Sequence, residues 1–92
     1  MNAHWQALLA ADRRIQASID ATAVAHNLAL IRQRARQCTR PPRIWATVKA
    51  DAYGHGLALV LPGLGDADGI AVQYLSDAHA CRQAGWQGPI LV

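Results

Sequence analysis

Three short apolar runs recur from the middle of the chain to its last residue, and they constrain the fold more than any other feature. The runs are "IWATV" at 44–48, "GIAV" at 69–72 and "PILV" at 89–92. The first is apolar on both faces apart from Thr47, as expected of a strand covered on both sides in a parallel sheet. Because helix-like segments separate the runs, their order predicts right-handed βαβ crossovers and a parallel α/β sheet.

Helix signals occupy the segments between these runs. "GLALVLPGLGDAD" predicts a short helix that Pro62 disturbs, and "SDAHACRQAG" predicts another, with Ser76 as N-cap and Gly85 as stop. Upstream, Asp20 suits the N-cap of a longer helix that runs to about Gln37, before "TRPPR". The apolar residues of this longer helix recur at helical spacing: Val24, Leu28, Ile31 and Ala35.

The first 20 residues differ in character from the rest. Residues 1–12 look helical, and we interpret them as an N-terminal extension. In "RIQASID", Ile15, Ala17 and Ile19 alternate with polar residues, which predicts a strand with one solvated face. Such a strand does not match the buried sheet. We interpret residues 13–92 as one incomplete domain that begins with this strand.

The length of the chain limits its architecture. Its 92 residues fall far short of the roughly 250 residues that a (β/α)₈ barrel typically needs. A three-stranded parallel sheet by itself would leave unpaired backbone groups along an open edge. We therefore expect the chain to be the opening piece of a larger protein.

Composition and charge argue against several classes of protein. Hydrophobic residues make up 52% of the chain and charged residues 16%, so disorder is not expected. The net charge is +3, and five arginines are bunched together: Arg32, Arg34, Arg36, Arg40 and Arg43. We interpret them as the solvated face and C-terminal end of a helix. A nucleic-acid contact is the alternative, but no aromatic residues interleave with the arginines for base stacking.

The two cysteines and the hydropathy pattern add further limits. Cys38 and Cys81 lack the spacing of a metal site or a CxxC motif, so we expect two buried or half-buried thiols and no metal. The N-terminus lacks the basic region of a signal peptide, and no apolar run has transmembrane length. We predict a cytoplasmic protein that binds neither nucleic acid nor a membrane.

Lys49 is the single lysine of the chain, and it directly follows the first apolar run. The carboxyl ends of parallel strands are where barrels and open α/β sheets build their sites. An ordinary surface lysine is the alternative. The apolar neighbours of Lys49 and the glycines of "YGHG" favour a functional amine beside a bound anion. We interpret Asp51 and His55 as residues that cap or pack at the following turn.

The motif "VKADAYGHG" at 48–56 resembles the pyridoxal-phosphate lysine motif of the alanine racemases, which are fold-type III enzymes. "IDATAVAHNL" resembles the opening strand and helix of that family, and residues 67–92 resemble its second and third barrel strands. The resemblance covers roughly residues 14–92. It implies the opening βα units of a (β/α)₈ TIM-type barrel, incomplete here, with about three parallel barrel strands. The strand before them would pair with a missing C-terminal β domain.

The resemblance also implies a chemistry. Lys49 would hold pyridoxal 5'-phosphate covalently and act as one of two bases that exchange the α-proton of alanine, while Tyr53 would contact the cofactor phosphate. The amine must be neutral to attack an aldehyde, so we expect desolvation to destabilise its ammonium form. The second base would come from a partner subunit of a homodimeric parent. We therefore expect the 92-residue chain to be inactive alone.

Other functions stay open at this point. The chain could belong to a non-catalytic pyridoxal-phosphate-binding barrel protein of cofactor homeostasis, or to a racemase that acts on serine or on a broad range of amino acids. The wording "KADAYGHG" favours an alanine racemase, which supplies D-alanine for peptidoglycan. A small arginine-rich nucleic-acid binder is the third hypothesis, and it would bind in a salt-sensitive way.

Overall fold

The computed structural model describes residues 3–11 and 16–92. Its helices are α1 (Ala3–Ala11), α2 (Ala21–Ala35), α3 (Lys49–Tyr53), α4 (Leu57–Val60) and α5 (Leu75–Gln83), with a 3₁₀ helix at Leu61–Leu64. Its strands are β1 (Trp45–Thr47), β2 (Gly69–Ala71) and β3 (Ile90–Leu91). The alternation of strand and helix that the apolar runs predict is therefore present.

The three strands form one parallel sheet in the order β1-β2-β3. Trp45 pairs with Gly69, and Ile70 pairs with Ile90. Consecutive strands are neighbours, as the opening units of a (β/α)₈ barrel require, and the predicted α/β fold class is confirmed. Ile70 on the central strand is fully buried, so β2 lies at the centre of the core.

Helix α2 begins where the sequence predicts. The Oδ1 atom of Asp20 accepts a hydrogen bond from the backbone N–H of Thr22 at 2.9 Å, which caps the first turn. Leu28 and Ala35 on its inner face are buried. The helix packs against the 3₁₀ helix at Gly63, where an added Cβ would lie 2.7 Å from the Cβ of Val24. Glycine is needed there because the two elements approach each other so closely.

An ion pair ties the end of α2 to the segment before β2. Nη1 of Arg32 donates to Oδ2 of Asp68 at 2.9 Å, and Nη2 donates to the carbonyl oxygen of Asp66. Oδ2 of Asp68 also accepts from the backbone N–H of Ile44 at 2.6 Å. The hydrogen bond from Arg32, followed by that from Ile44, holds the pKa of Asp68 below its ordinary value. Asp68 therefore links α2 to the residue that precedes β1.

The helix interpretation holds for Arg34 and Arg36 of the other bunched arginines and is wrong for Arg40 and Arg43, which lie beyond the end of α2. Arg34 is exposed in the last turn of α2, and Arg36 forms its C-cap. Arg40 and Arg43 are exposed in the connection to β1. Arg32 differs from these four in exposure, because its side chain is half-buried in the ion pair with Asp68.

Residues 16–20 are not assigned to a strand, and no described strand lies beside them; residues 14 and 15 lie outside the described residues. Because the predicted partner of this strand is a C-terminal β domain, its pairing stays a prediction. One prediction of local structure is wrong. Ser76 is not the N-cap of α5. That position belongs to Tyr74, whose backbone N–H donates to Oδ2 of Asp77 at 3.2 Å.

Strand β1 is less covered than its apolar sequence predicts. Trp45 is 43% exposed and Thr47 is exposed as well, because one face of β1 has no covering layer in the described part of the chain. The ring of Trp45 lies over Gly69 of β2, and a Cβ at position 69 would come within 2.6 Å of the Cε3 atom of that ring. The opposite face is dry, since Val48 at the end of this run is buried.

The cysteines are both free, and they differ in exposure. Cys81 on α5 is fully buried, and burial raises the pKa of its thiol, with the carboxylate of Asp77 raising it further. Cys38 is exposed, so the prediction of a buried or half-buried thiol is wrong at this position. It lies in the bend after α2, outside the apolar face of that helix. Gly85, with φ of 102°, ends α5 as predicted.

Candidate functional site

Lys49 stands at the carboxyl end of β1. The preceding residue, Val48, donates its backbone N–H to the carbonyl oxygen of Ala71 at 3.0 Å, so sheet pairing continues to the residue before the lysine. Lys49 is exposed, and Tyr53 at the other end of α3 is 58% exposed. The two side chains that the motif singles out therefore lie at the two ends of one short turn.

The backbone of this turn is left-handed. Ala50, Asp51, Ala52 and Tyr53 have φ values of 52°, 54°, 56° and 57°. A left-handed helical conformation costs an L-residue about 1–2 kcal/mol, and it normally occurs at single residues. Four such residues in succession, none of them glycine, form a strained element that the sequence does not predict.

Backbone hydrogen bonds and burial hold the turn in place. The N–H of Ala52 donates to the carbonyl oxygen of Val48 at 3.0 Å, and the N–H of Gly54 donates to that of Ala50 at 2.9 Å. Val48 and Ala52 are each only 4% exposed. Because these two residues face the core, the residues that follow each of them, Lys49 and Tyr53, face outward.

Two side chains of the motif add further hydrogen bonds. Oδ1 of Asp51 accepts from the backbone N–H of Leu57 at 2.8 Å, which joins the turn to the start of α4. Nδ1 of His55 lies 2.8 Å from the carbonyl oxygen of Ala52. A carbonyl oxygen only accepts, so Nδ1 of this histidine carries the proton. Both residues cap or pack at the turn, as the sequence predicts.

The glycines of the motif shape the backbone. Gly54 has φ of 85° and Gly56 has φ of 94°, both in a region that L-residues with a Cβ rarely adopt. The N–H of Gly56 donates to the carbonyl oxygen of Asp51 at 2.9 Å, which closes the end of the turn. Positive φ thus runs from Ala50 through Gly54 and recurs at Gly56.

A cavity of about 350 Å³ opens beside the turn. Tyr53 and His55 line it from the turn, Thr47 and Val48 line it from β1, and Asp20 lines it from the start of α2. Lys49 is not among its lining residues. The expected desolvation of Lys49 is also not seen, because Val48 and Ala52 occupy the buried positions and the lysine is exposed.

The described residues contain no group of three or more His, Cys, Asp or Glu side chains that could hold a metal ion. Over the same residues, no helix is long and apolar enough to cross a membrane.

The turn after β1 carries four chemically active groups: the amine of Lys49, the phenol of Tyr53, the imidazole of His55 and the carboxylate of Asp51.

Comparison with known protein families bears on the sequence-based hypotheses. The sequence model described as "Alanine racemase, N-terminal domain" matches residues 19–92, which include the whole sheet and the turn after β1. The chain belongs to the alanine racemase family. The left-handed turn lies within the residues that the family model matches.

Individual relatives agree with the family match. The chain is 46% identical over 85 residues to the alanine racemase of Bordetella petrii, covering 87% of this chain and 23% of that protein. It is 50% identical over 80 residues to the alanine racemase of Methylibium petroleiphilum, covering 87% of this chain and 21% of that protein. The chain thus spans less than a quarter of the length of these relatives.

Solved structures support the fold as well. The crystal structure of alanine racemase from Corynebacterium glutamicum superimposes with a TM-score of 0.70 at 35% identity, covering 79% of this chain and 21% of that one. The crystal structure of the biosynthetic alanine racemase from Pseudomonas aeruginosa superimposes with a TM-score of 0.68 at 40% identity, covering 80% of this chain and 20% of that one. These likenesses favour neither the carrier hypothesis nor the nucleic-acid hypothesis.

Proposed function

We propose that this chain is the N-terminal part of a pyridoxal-phosphate-dependent alanine racemase, which interconverts L- and D-alanine. The observation that carries the proposal is the position of Lys49. The single lysine of the chain directly follows a parallel strand in the residues matched by the family, exposed at the edge where such folds build their sites. An arginine could not serve there, because its guanidinium does not lose a proton in proteins.

The residues at this edge fit the cofactor chemically. Lys49 offers an exposed primary amine that can condense with an aldehyde, and Tyr53 offers an exposed hydroxyl that can donate to a phosphate. When bound, pyridoxal phosphate supplies an electron-withdrawing ring that delocalises the negative charge left by removal of the α-proton. Lys49 would first bind the cofactor and then, once free, move the proton at the α-carbon of alanine.

The proposal extends to the whole protein. Residues 13–92 would begin the barrel domain, and residues 1–12 would form an extension before it. A second base and most of the groups that bind the phosphate would come from elsewhere in a cytoplasmic homodimer. Its product, D-alanine, would serve the synthesis of peptidoglycan. These statements rest on family membership and on the motif at 48–56.

Cofactor capture tests the role of Lys49 directly. Pyridoxal phosphate would be added to the chain and to the variants Lys49→Arg and Lys49→Ala, followed by borohydride reduction and peptide mapping. We expect the visible band of bound cofactor and the reduced label in the wild type, with the label on Lys49. The arginine variant keeps the positive charge and should lose both. A label on the N-terminal amine, or one unchanged by the substitutions, would refute the assignment.

A racemisation assay tests the activity. The 92-residue chain should give no turnover of L-alanine, because it lacks the other groups of the site. A chimera in which residues 19–92 replace the matching segment of the Bordetella petrii relative should racemise alanine, and its Lys49→Arg version should not. A chimera that folds and binds cofactor but shows no racemase activity would contradict the proposal.

A further inference from the structure

Side chains add to the backbone hydrogen bonds that hold the left-handed turn. Its four successive non-glycine residues at positive φ each adopt a conformation that L-residues disfavour. Strain of this kind persists only where the surrounding structure enforces it, and it concentrates at functional sites. The question is which groups enforce it here.

The two side-chain hydrogen bonds at the turn connect it to different neighbours. The carboxylate of Asp51 binds the N–H of Leu57 at 2.8 Å, so it ties the middle of the turn forward to α4. The ring of His55 binds the carbonyl oxygen of Ala52 at 2.8 Å, so it ties the turn to the glycine-flanked segment that follows. Leu57 and Ala52 are both buried, which gives each tie a fixed end.

Lys49 and Tyr53 depend on this support. Both side chains are exposed, and the backbone of the turn is what fixes the point from which each of them extends. A turn that relaxed to ordinary φ values would carry Ala52 out of its buried position and would turn Tyr53 away from the cavity that it lines.

We propose that Asp51 and His55 are positioning residues that lock the left-handed turn, so that Lys49 and Tyr53 face a bound phosphorylated aldehyde together. The inference rests on the proposed function for the identity of that ligand. The side chains of Asp51 and His55 bind backbone groups of Leu57 and Ala52, so they act on Lys49 and Tyr53 through the turn. Asp51 acts through its acceptor oxygen and His55 through the donor at Nδ1.

Conservative substitutions separate this role from the charge of either residue. Asp51→Asn keeps an acceptor at Oδ1 and His55→Asn places a donor near the position of Nδ1, whereas Asp51→Ala and His55→Ala remove the groups. The matched control is Asp77→Ala. It removes another carboxylate that accepts a backbone N–H, that of Tyr74 at the start of α5.

Amide hydrogen exchange in the cofactor-free protein reads out the turn itself. Loss of one hydrogen bond should speed exchange of the Leu57 amide by about three- to tenfold in Asp51→Ala. Exchange at Gly54 should rise similarly in His55→Ala, because the turn loosens. The two asparagine variants should remain within about twofold of the wild type, and Asp77→Ala should leave both amides unchanged.

Cofactor titration reads out the consequence for Lys49. The dissociation constant of pyridoxal phosphate should rise by about three- to tenfold in the two alanine variants and return towards wild type in the asparagine variants. An unchanged dissociation constant despite faster exchange would overturn the positioning role, as would an equal rise in Asp77→Ala. A chimera with the Bordetella petrii relative that folds but holds no cofactor on Lys49 would instead refute the proposed function and the positioning role with it. The exchange data would still decide whether Asp51 and His55 brace the turn.

Discussion

Replacing Ala50 by glycine should stabilise this protein, although the same replacement in an ordinary helix destabilises. Ala50 is exposed and has φ of 52° and ψ of 48°. Its backbone therefore lies in the left-handed region, which a residue with a Cβ disfavours. Relief of that conformation gains about 1–2 kcal/mol. The greater freedom of glycine in the unfolded chain costs about 0.5–1 kcal/mol. The net change in the free energy of unfolding is therefore a gain of up to about 1.5 kcal/mol.

Ala29→Gly is the matched control. Ala29 is exposed in the interior of α2, a right-handed helix, so this variant should lose about 0.5–1 kcal/mol. Both variants remove one exposed methyl group, and the glycine entropy term is common to both. The difference between the two variants therefore isolates the left-handed conformation, and it should be about 1–2 kcal/mol.

Urea unfolding followed by circular dichroism measures this difference. Both variants should keep the wild-type slope of unfolding free energy against urea, and only the midpoints should move, in opposite directions. Equal destabilisation by the two glycines would refute the argument, since Ala50 would then carry no left-handed strain.

Three further predictions concern packing, charge and thiol reactivity. Gly63→Ala should lower the free energy of unfolding by about 1–3 kcal/mol, because the added methyl group overpacks the contact with α2. Gly65→Ala, which adds a methyl group in open space, should raise it by about 0.4–1 kcal/mol. Urea unfolding of the two variants measures both changes. Asp68→Asn should lower stability at neutral pH, and its deficit should shrink as the pH falls below the ordinary aspartate pKa of 3.8, measured by unfolding at several pH values. A reagent that modifies thiols by disulfide exchange should react with Cys38 in the native protein and with Cys81 only after unfolding.

The sign of the pH effect follows from the direction of the pKa shift. The folded pKa of Asp68 is depressed, so its ionised form stabilises the fold above the unfolded pKa, and this contribution is lost as the pH falls through the folded value. A deficit that stayed constant with pH would contradict the ion pair. Equal effects at Gly63 and Gly65 would contradict the close approach of α2, and rapid native modification of Cys81 would contradict its burial.

The sheet was predictable because each of its strands is an apolar run bounded by strong signals. Ile70 and its neighbours read as a buried strand from sequence alone, and Asp20 marked the start of α2 through its capping carboxylate. Lys49 could be placed at a strand end for the same reason. These features depend on residues close together in the chain, where periodicity and capping chemistry act.

The features that were missed depend on distant contacts or on unusual backbone geometry. Arg32 and Asp68 are 36 positions apart, and no sequence pattern near either residue predicts their ion pair. Alanine disfavours the left-handed region, so Ala50 and Ala52 do not predict the turn. Of the four left-handed residues, only Asp51 is of a type that tolerates this region readily. Ser76 is a good N-cap by type, but α5 begins one residue before it.

The stacking of Trp45 on Gly69 couples the evolution of two strands. A side chain cannot enter position 69 while the indole lies across it, because an added Cβ would meet three ring atoms. Homologues that carry alanine or a larger residue at this position should therefore already have a smaller side chain at position 45. The order of the two substitutions matters, since an intermediate with both large groups would force β1 and β2 apart.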